Sequence, residues 1–152
     1  MVMYIPLSTR RRNAALVAIA TLLAGLIVGF GVGRSSGTTP SEAAAAVRTR
    51  GDELATHVQA LTIEYDQAIG ADRTGGGDTI QGGVIAALDL VESDLDMLIG
   101  DAPWIGKGMA DSLHESTVAV RRAATDKVTA VQFAQIAATT AAALRTGFGF
   151  DG

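Results

Sequence analysis

Residues 78–100 read DTIQGGVIAALDLVESDLDMLIG, and their spacing decides the fold class. Ile80, Val84, Leu88, Val91, Leu95 and Leu98 recur at steps of 4, 4, 3, 4 and 3, which places them on one face of an α-helix. Asp89, Glu92, Asp94 and Asp96 fall on the other face. Asp78 followed by Gln81 is a helix-start signal, and Gly100 is a stop signal. A helix with one apolar stripe must bury it against neighbours of the same kind, so the flanking segments have to supply matching stripes.

They do so on both sides. Upstream, Thr39-Pro40-Ser41-Glu42 combines a capping threonine, proline at the first helical position and a glutamate that completes a capping box. Val47, Leu54, Val58, Leu61, Tyr65 and Ala68 then recur at steps of 7, 4, 3, 4 and 3, and Gly70 is expected to end this helix. Gly51 interrupts the stripe and marks either a bend or a close contact. Ala71 to Gly77 contains three consecutive glycines and reads as a loop. A phosphate-cradling loop would follow a strand and lead into Lys-Ser/Thr, and neither is present.

Downstream, residues 100–108 form a turn-rich connector with the only tryptophan, Trp104, which either plugs the end of a bundle or anchors a partner. A third helix is expected from about Gly108 to Ala124, with Met109, Leu113, Val120 and Ala124 inward. Thr125-Asp126 either caps a fourth helix over about 127–145 or lies within one long helix. In that last segment Val128, Val131, Ile136 and Leu144 are the larger apolar residues among many alanines. Residues 147–152 form a Gly/Phe tail whose Phe148 and Phe150 either fold back or dock elsewhere. No apolar–polar alternation is present and aromatics are only 5%, which argues against strands. The expectation for residues 40–146 is an all-α, antiparallel bundle of three or four helices.

A different pattern precedes the bundle. Residues 13–33, NAALVAIATLLAGLIVGFGVG, carry no charge and are bracketed by Arg12 and Arg34. Twenty-one helical residues reach about 31 Å, the thickness of a bilayer's hydrocarbon core, so this stretch reads as a transmembrane helix. Residues 1–12 are then a short cytoplasmic leader and 34–39 a linker. Arg10, Arg11 and Arg12 precede the span and Arg34 alone follows closely, which puts the N-terminus inside and the C-terminal domain outside the plasma membrane. A cleaved signal peptide fits less well, because the apolar run is long and no small-x-small site follows it closely. Gly25, Gly29 and Gly33 share one helix face, the arrangement through which membrane helices approach one another closely.

Composition limits the chemistry. There is no cysteine, hence no disulfide, thiolate nucleophile or lipid-modified cysteine. All 16 acidic residues and 8 of the basic ones follow Arg34, a net charge of −8, which disfavours nucleic acid and anionic lipid surfaces and suits a basic partner. The only histidines are His57 and His114. Glu53 lies four before His57 and Asp111 three before His114, the spacing of carboxylate–imidazole metal ligands in helical bundles. These four residues would converge only if the first and third helices faced each other. The pattern departs from the paired Glu-x-x-His of di-iron bundles, and solvated helix faces carry such neighbours far more often. No Gly-x-Ser-x-Gly elbow and no serine–histidine arrangement supports nucleophilic catalysis. No cofactor is expected.

In layout and composition the chain resembles the small single-pass accessory subunits of actinobacterial membrane complexes, in particular those of respiratory supercomplexes that join cytochrome reductase and oxidase. The abundance of alanine, glycine and arginine over lysine agrees with a GC-rich bacterial genome. The resemblance implies a non-catalytic stabilising role between integral membrane subunits, with contacts through Gly25, Gly29 and Gly33 and through Trp104, Phe148 and Phe150. The alternative is an extracytoplasmic sensor, a bundle that holds a small apolar ligand or a peptide between its helices.

Overall fold

The computed structural model describes residues 39–72 and 77–149, except the side chains of 72 and 77–80. The transmembrane reading of 13–33, the glycine face of Gly25, Gly29 and Gly33, and Phe150 all lie outside the described residues. Those described form four helices and no strand: α1 Pro40–Asp72, α2 Gly77–Asp101, α3 Lys107–Thr125 and α4 Ala130–Phe148. None of these four is long and apolar enough to cross a membrane.

Each helix packs against two others. The packed pairs are α1 with α2, α2 with α3, α3 with α4 and α4 with α1. Cross-helix contacts give the directions. Along α2 and α3, Asp96 meets His114 and Glu92 meets Arg121, so one number falls as the other rises. Asp52 meets Arg145 and Tyr65 meets Phe133 between α1 and α4 in the same sense. Thr140 donates to the Ser116 carbonyl, while Gly147 lies against Leu113, which sets α3 and α4 antiparallel as well. The described residues therefore make an up-down-up-down four-helix bundle.

The stripe of α1 is buried in full: Val47, Leu54, Val58, Leu61, Tyr65 and Ala68 all face the core. So do Val84, Leu88, Val91, Leu95 and Leu98 of α2. In α3 the expectation needs one correction. Leu113, Val120 and Ala124 are inside, but Met109 is 45% exposed. Thr117 fills an inward position between them, and its hydroxyl donates to the His114 carbonyl at 2.9 Å, which makes its burial tolerable. In the first turn of α4 the large inward residue is Phe133, which stacks on Tyr65 with ring centroids 4.0 Å apart. Val131 instead points outward, 77% exposed.

Helix ends follow local chemistry. At the start of α1 the Thr39 amide donates to Glu42 Oε2 at 2.8 Å and the Glu42 amide donates to Thr39 Oγ1 at 3.3 Å, the expected capping box. Gly70 does not end α1, which runs on to Asp72. Asp78 is not a cap but already the second residue of α2. Gly100 does not stop α2 either; the helix ends at Asp101, because the residue before Pro103 disfavours helical backbone. Thr125-Asp126 separates two helices, but the fourth is capped by Thr129, whose hydroxyl accepts from the Gln132 amide while the Gln132 side chain reaches back. Lys127 adopts a left-handed conformation (φ 53°) and lets the Val128 amide donate back to the Ala123 carbonyl, which closes α3.

Candidate functional site

The polar side chains are spent largely on joining helices. Helix α2 carries Asp89, Glu92, Asp94, Asp96 and Asp101 along its described length and no basic residue. Its neighbours supply the cations. Arg121 of α3 donates to both carboxylate oxygens of Glu92 at 2.8 Å, and to Asp89. This fork holds the guanidinium far above its ordinary proton affinity. Asp94 feels the charges of His57 and Arg50 from α1, yet partial burial prevails and pushes its carboxyl up from the usual range. On the opposite side Arg145 of α4 donates to Asp52 at 2.7 Å and reaches Thr56 and Gln59 along α1.

The expected metal ligands are not brought together. His57 sits on α1 beside the Asp94 carboxylate of α2. His114 sits on α3, with Nε2 at 2.6 Å from Asp96 Oδ1 and Nδ1 at 2.8 Å from the Ala110 carbonyl oxygen. Each histidine thus faces α2, whereas the shared site required α1 and α3 to face one another. Among the described residues no three histidine or acidic side chains group closely enough to hold an ion.

Two polar groups tie down the α3–α4 turn. Tyr65 donates its hydroxyl to the Val128 carbonyl at 2.6 Å, with a longer contact to the Ala123 carbonyl at 3.4 Å. Burial raises the phenol's pKa, partly offset by Lys127. Gln81 of α2, expected to pair with Asp78, instead donates to the Ala124 carbonyl at 2.7 Å. One carboxylate is poorly served: Glu64 Oε2 is buried without a hydrogen-bond partner, and desolvation pushes its carboxyl up.

Of the expected contact residues, Phe148 is fully buried. It closes the bundle against Gly51 as the last residue of α4, so the helix takes in Gly147 and Phe148, which were expected in a Gly/Phe tail. Trp104 is at the surface, 40% exposed, with the Arg48 guanidinium 5.5 Å from its ring centroid. It does not plug the bundle; Ala102 and the half-buried Ile105 occupy that end.

A surface that sequence reading did not single out lies along α1 and α4. Helix α4 has one charged residue, Arg145, in 19. Its outward positions Val131, Gln135, Ala138 and Ala142 are uncharged. Thr56 and Gln59, which Arg145 touches, continue at helical spacing to Ile63, 65% exposed. The legible signal was the charge-free run of 130–144, noted only for its alanines. Comparison of the chain with protein-family models, curated proteins and solved structures gives no match.

Proposed function

We propose that the chain is a non-catalytic accessory subunit, anchored in the plasma membrane by residues 13–33, which holds its four-helix bundle outside against a larger membrane protein complex. The observation that carries the reading is the stretch of the α1–α4 face that is uncharged from Thr56 to Ile63 and from Val131 to Ala142, with Ile63 and Val131 exposed. Large exposed apolar side chains on a neutral, small-residue surface suit a partner's helices at low desolvation cost. The uncharged run 13–33 between Arg12 and Arg34 supports it, and we assign Gly25, Gly29 and Gly33 as the contact inside the bilayer. A respiratory supercomplex of cytochrome reductase and oxidase is the instance we name, on the resemblance in layout alone. For the ligand-binding alternative there is less support, because Tyr65, Phe133, Phe148, Leu54, Leu88 and Leu95 fill the space between helices.

The test is a tagged pull-down of the full chain in mild detergent, with Val131→Glu and Ile63→Glu compared with the parent. Stoichiometric recovery of a defined membrane complex, lost in the two variants, is expected, and cytochrome absorbance in the eluate would identify the respiratory case. Recovery of the parent chain alone would sink the proposal.

A further inference from the structure

His114 has an oxygen in front of each ring nitrogen. Nε2 is 2.6 Å from Asp96 Oδ1 and Nδ1 is 2.8 Å from the Ala110 carbonyl. Both oxygens only accept, so both nitrogens must donate, and an imidazole carries two N–H groups only as the cation. A neutral ring would leave one lone pair pressed against an oxygen. The site is therefore built for imidazolium, whichever tautomer the neutral form would choose.

The position of this contact gives it reach. Arg121 joins α2 and α3 through Asp89 and Glu92; Asp96–His114 joins them closer to the connecting turn. Beyond it lie the last turn of α2, the 102–106 connector and the first two turns of α3. That tip carries Met97, Trp104 and Met109, exposed by 38%, 40% and 45%. We propose that the His114–Asp96 pair is a proton-operated latch on the α2–α3 hairpin tip: closed when His114 is charged, and loosened when it is neutral, so that the setting of Trp104 changes with pH. As a control on partner contact it rests on the accessory-subunit reading, but the latch itself does not.

The groups that face His114 are few. From α2 comes Asp96, and from α3 itself Asp111 and the Ala110 carbonyl; these outweigh partial burial and raise the imidazole's pKa, the Asp96 bond foremost. Helix α4 has Arg145 as its only charge, and that is bonded to Asp52. On α1, His57 faces Asp94. The latch is thus closed at and below the ordinary histidine value of 6.5 and opens as pH rises through the raised midpoint.

The experiment uses the full chain in detergent micelles, labelled with ¹⁵N-histidine and titrated from pH 5 to 9. Ring shifts report whether both His114 nitrogens carry protons, and emission of the sole tryptophan reports the tip. The expected result is a His114 midpoint above 6.5 and a Trp104 emission change with the same midpoint. His57→Gln should leave both in place. Asp96→Asn should lower the midpoint and move the emission change with it; this variant keeps the imidazole and serves where His114→Gln fails to fold. A ring that is neutral across the range, or emission indifferent to a titrating His114, would overturn the latch. Because titration of His114 needs no partner, a titrating latch with no complex recovered at pH 6 or pH 8.5 would overturn the accessory-subunit reading alone.

Discussion

A methyl group at Gly51 should destabilise the bundle, although alanine is the better helix former. A Cβ there would sit 2.5 Å from Phe148 Cγ, 2.6 Å from its Cβ and 2.7 Å from Cδ2, about an ångström inside contact distance. Two terms of opposite sign compete. Helix propensity favours alanine by about 1 kcal/mol. Against it stands either overpacking, typically ~1–3 kcal/mol, or ejection of the ring, with an upper bound of about 3–5 kcal/mol for the loss of a buried phenylalanine. Because Phe148 is the last residue of α4, swinging it out is the easier relief, and the bundle end then loses its cover. We expect Gly51→Ala to cost roughly 2 kcal/mol net, a fall in Tm of about 6–10 °C for a domain of this size. The assay is thermal and urea unfolding of the full chain in detergent, followed by circular dichroism. The internal control is Gly82→Ala, where the added Cβ meets nothing within 4 Å; it should stabilise by about 0.5–1 kcal/mol. On a Phe148→Ala background the sign at Gly51 should reverse, since only propensity remains. Stabilisation by Gly51→Ala in the parent would refute the close packing of α1 on α4.

Three further outcomes follow from the polar contacts. Tyr65→Phe should cost about 1–2 kcal/mol in urea midpoints, because the Val128 carbonyl loses its donor while the ring stack on Phe133 persists. Glu64→Gln should stabilise the protein at pH 7. The parent's folded-state carboxyl has a raised pKa, so ionisation opposes folding, and the gain should shrink as pH falls through the raised folded value and be gone below 4.5. For His114 the folded pKa is raised, so its contribution is fully present below 6.5 and lost as pH rises through the folded value; His114→Gln should flatten that loss, by under ~1 kcal/mol for a pair this exposed.

The all-helical bundle could be read from spacing because large apolar residues recur at helical steps along α2 and, apart from Gly51, along α1. Where the stripe is diluted by alanine, reading failed in detail. In α4 the inward positions are Phe133, Ala137, Thr140, Ala141 and Leu144, and the weight of small residues hides which side Val131 takes. Thr117 and Thr140 hold inward places that a count of apolar residues passes over, since their hydroxyls are satisfied by backbone carbonyls. Glycine was a poor guide to helix ends: Gly70 and Gly100 have open space around them and are simply tolerated. Gly51 was legible as an anomaly, but its partner was not, because Phe148 lies 97 residues away in the chain. The histidine pairs were missed for a similar reason. Helical spacing draws attention to carboxylates on the same helix, whereas His114 bonds to the helix beside it.

The charge pattern gains a direction from these contacts. Read alone, the acidic side of α2 suggests a surface awaiting a basic partner. In the bundle, Arg121 takes Asp89 and Glu92, His114 takes Asp96, and Asp94 lies in the field of His57 and Arg50. A cationic partner would compete with these internal cations at Asp89, Glu92 and Asp96. The α1–α4 side poses no such obstacle. The Arg145–Asp52 ion pair lies toward one end, and from Thr56 to Ile63 on α1 and from Val131 to Ala142 on α4 the outward positions are uncharged. Binding there removes apolar surface from water and breaks no salt bridge, so salt should weaken partner association little. Strong loss of association between low and moderate salt would instead place the contact on α2 and move the partner to the opposite side of the bundle.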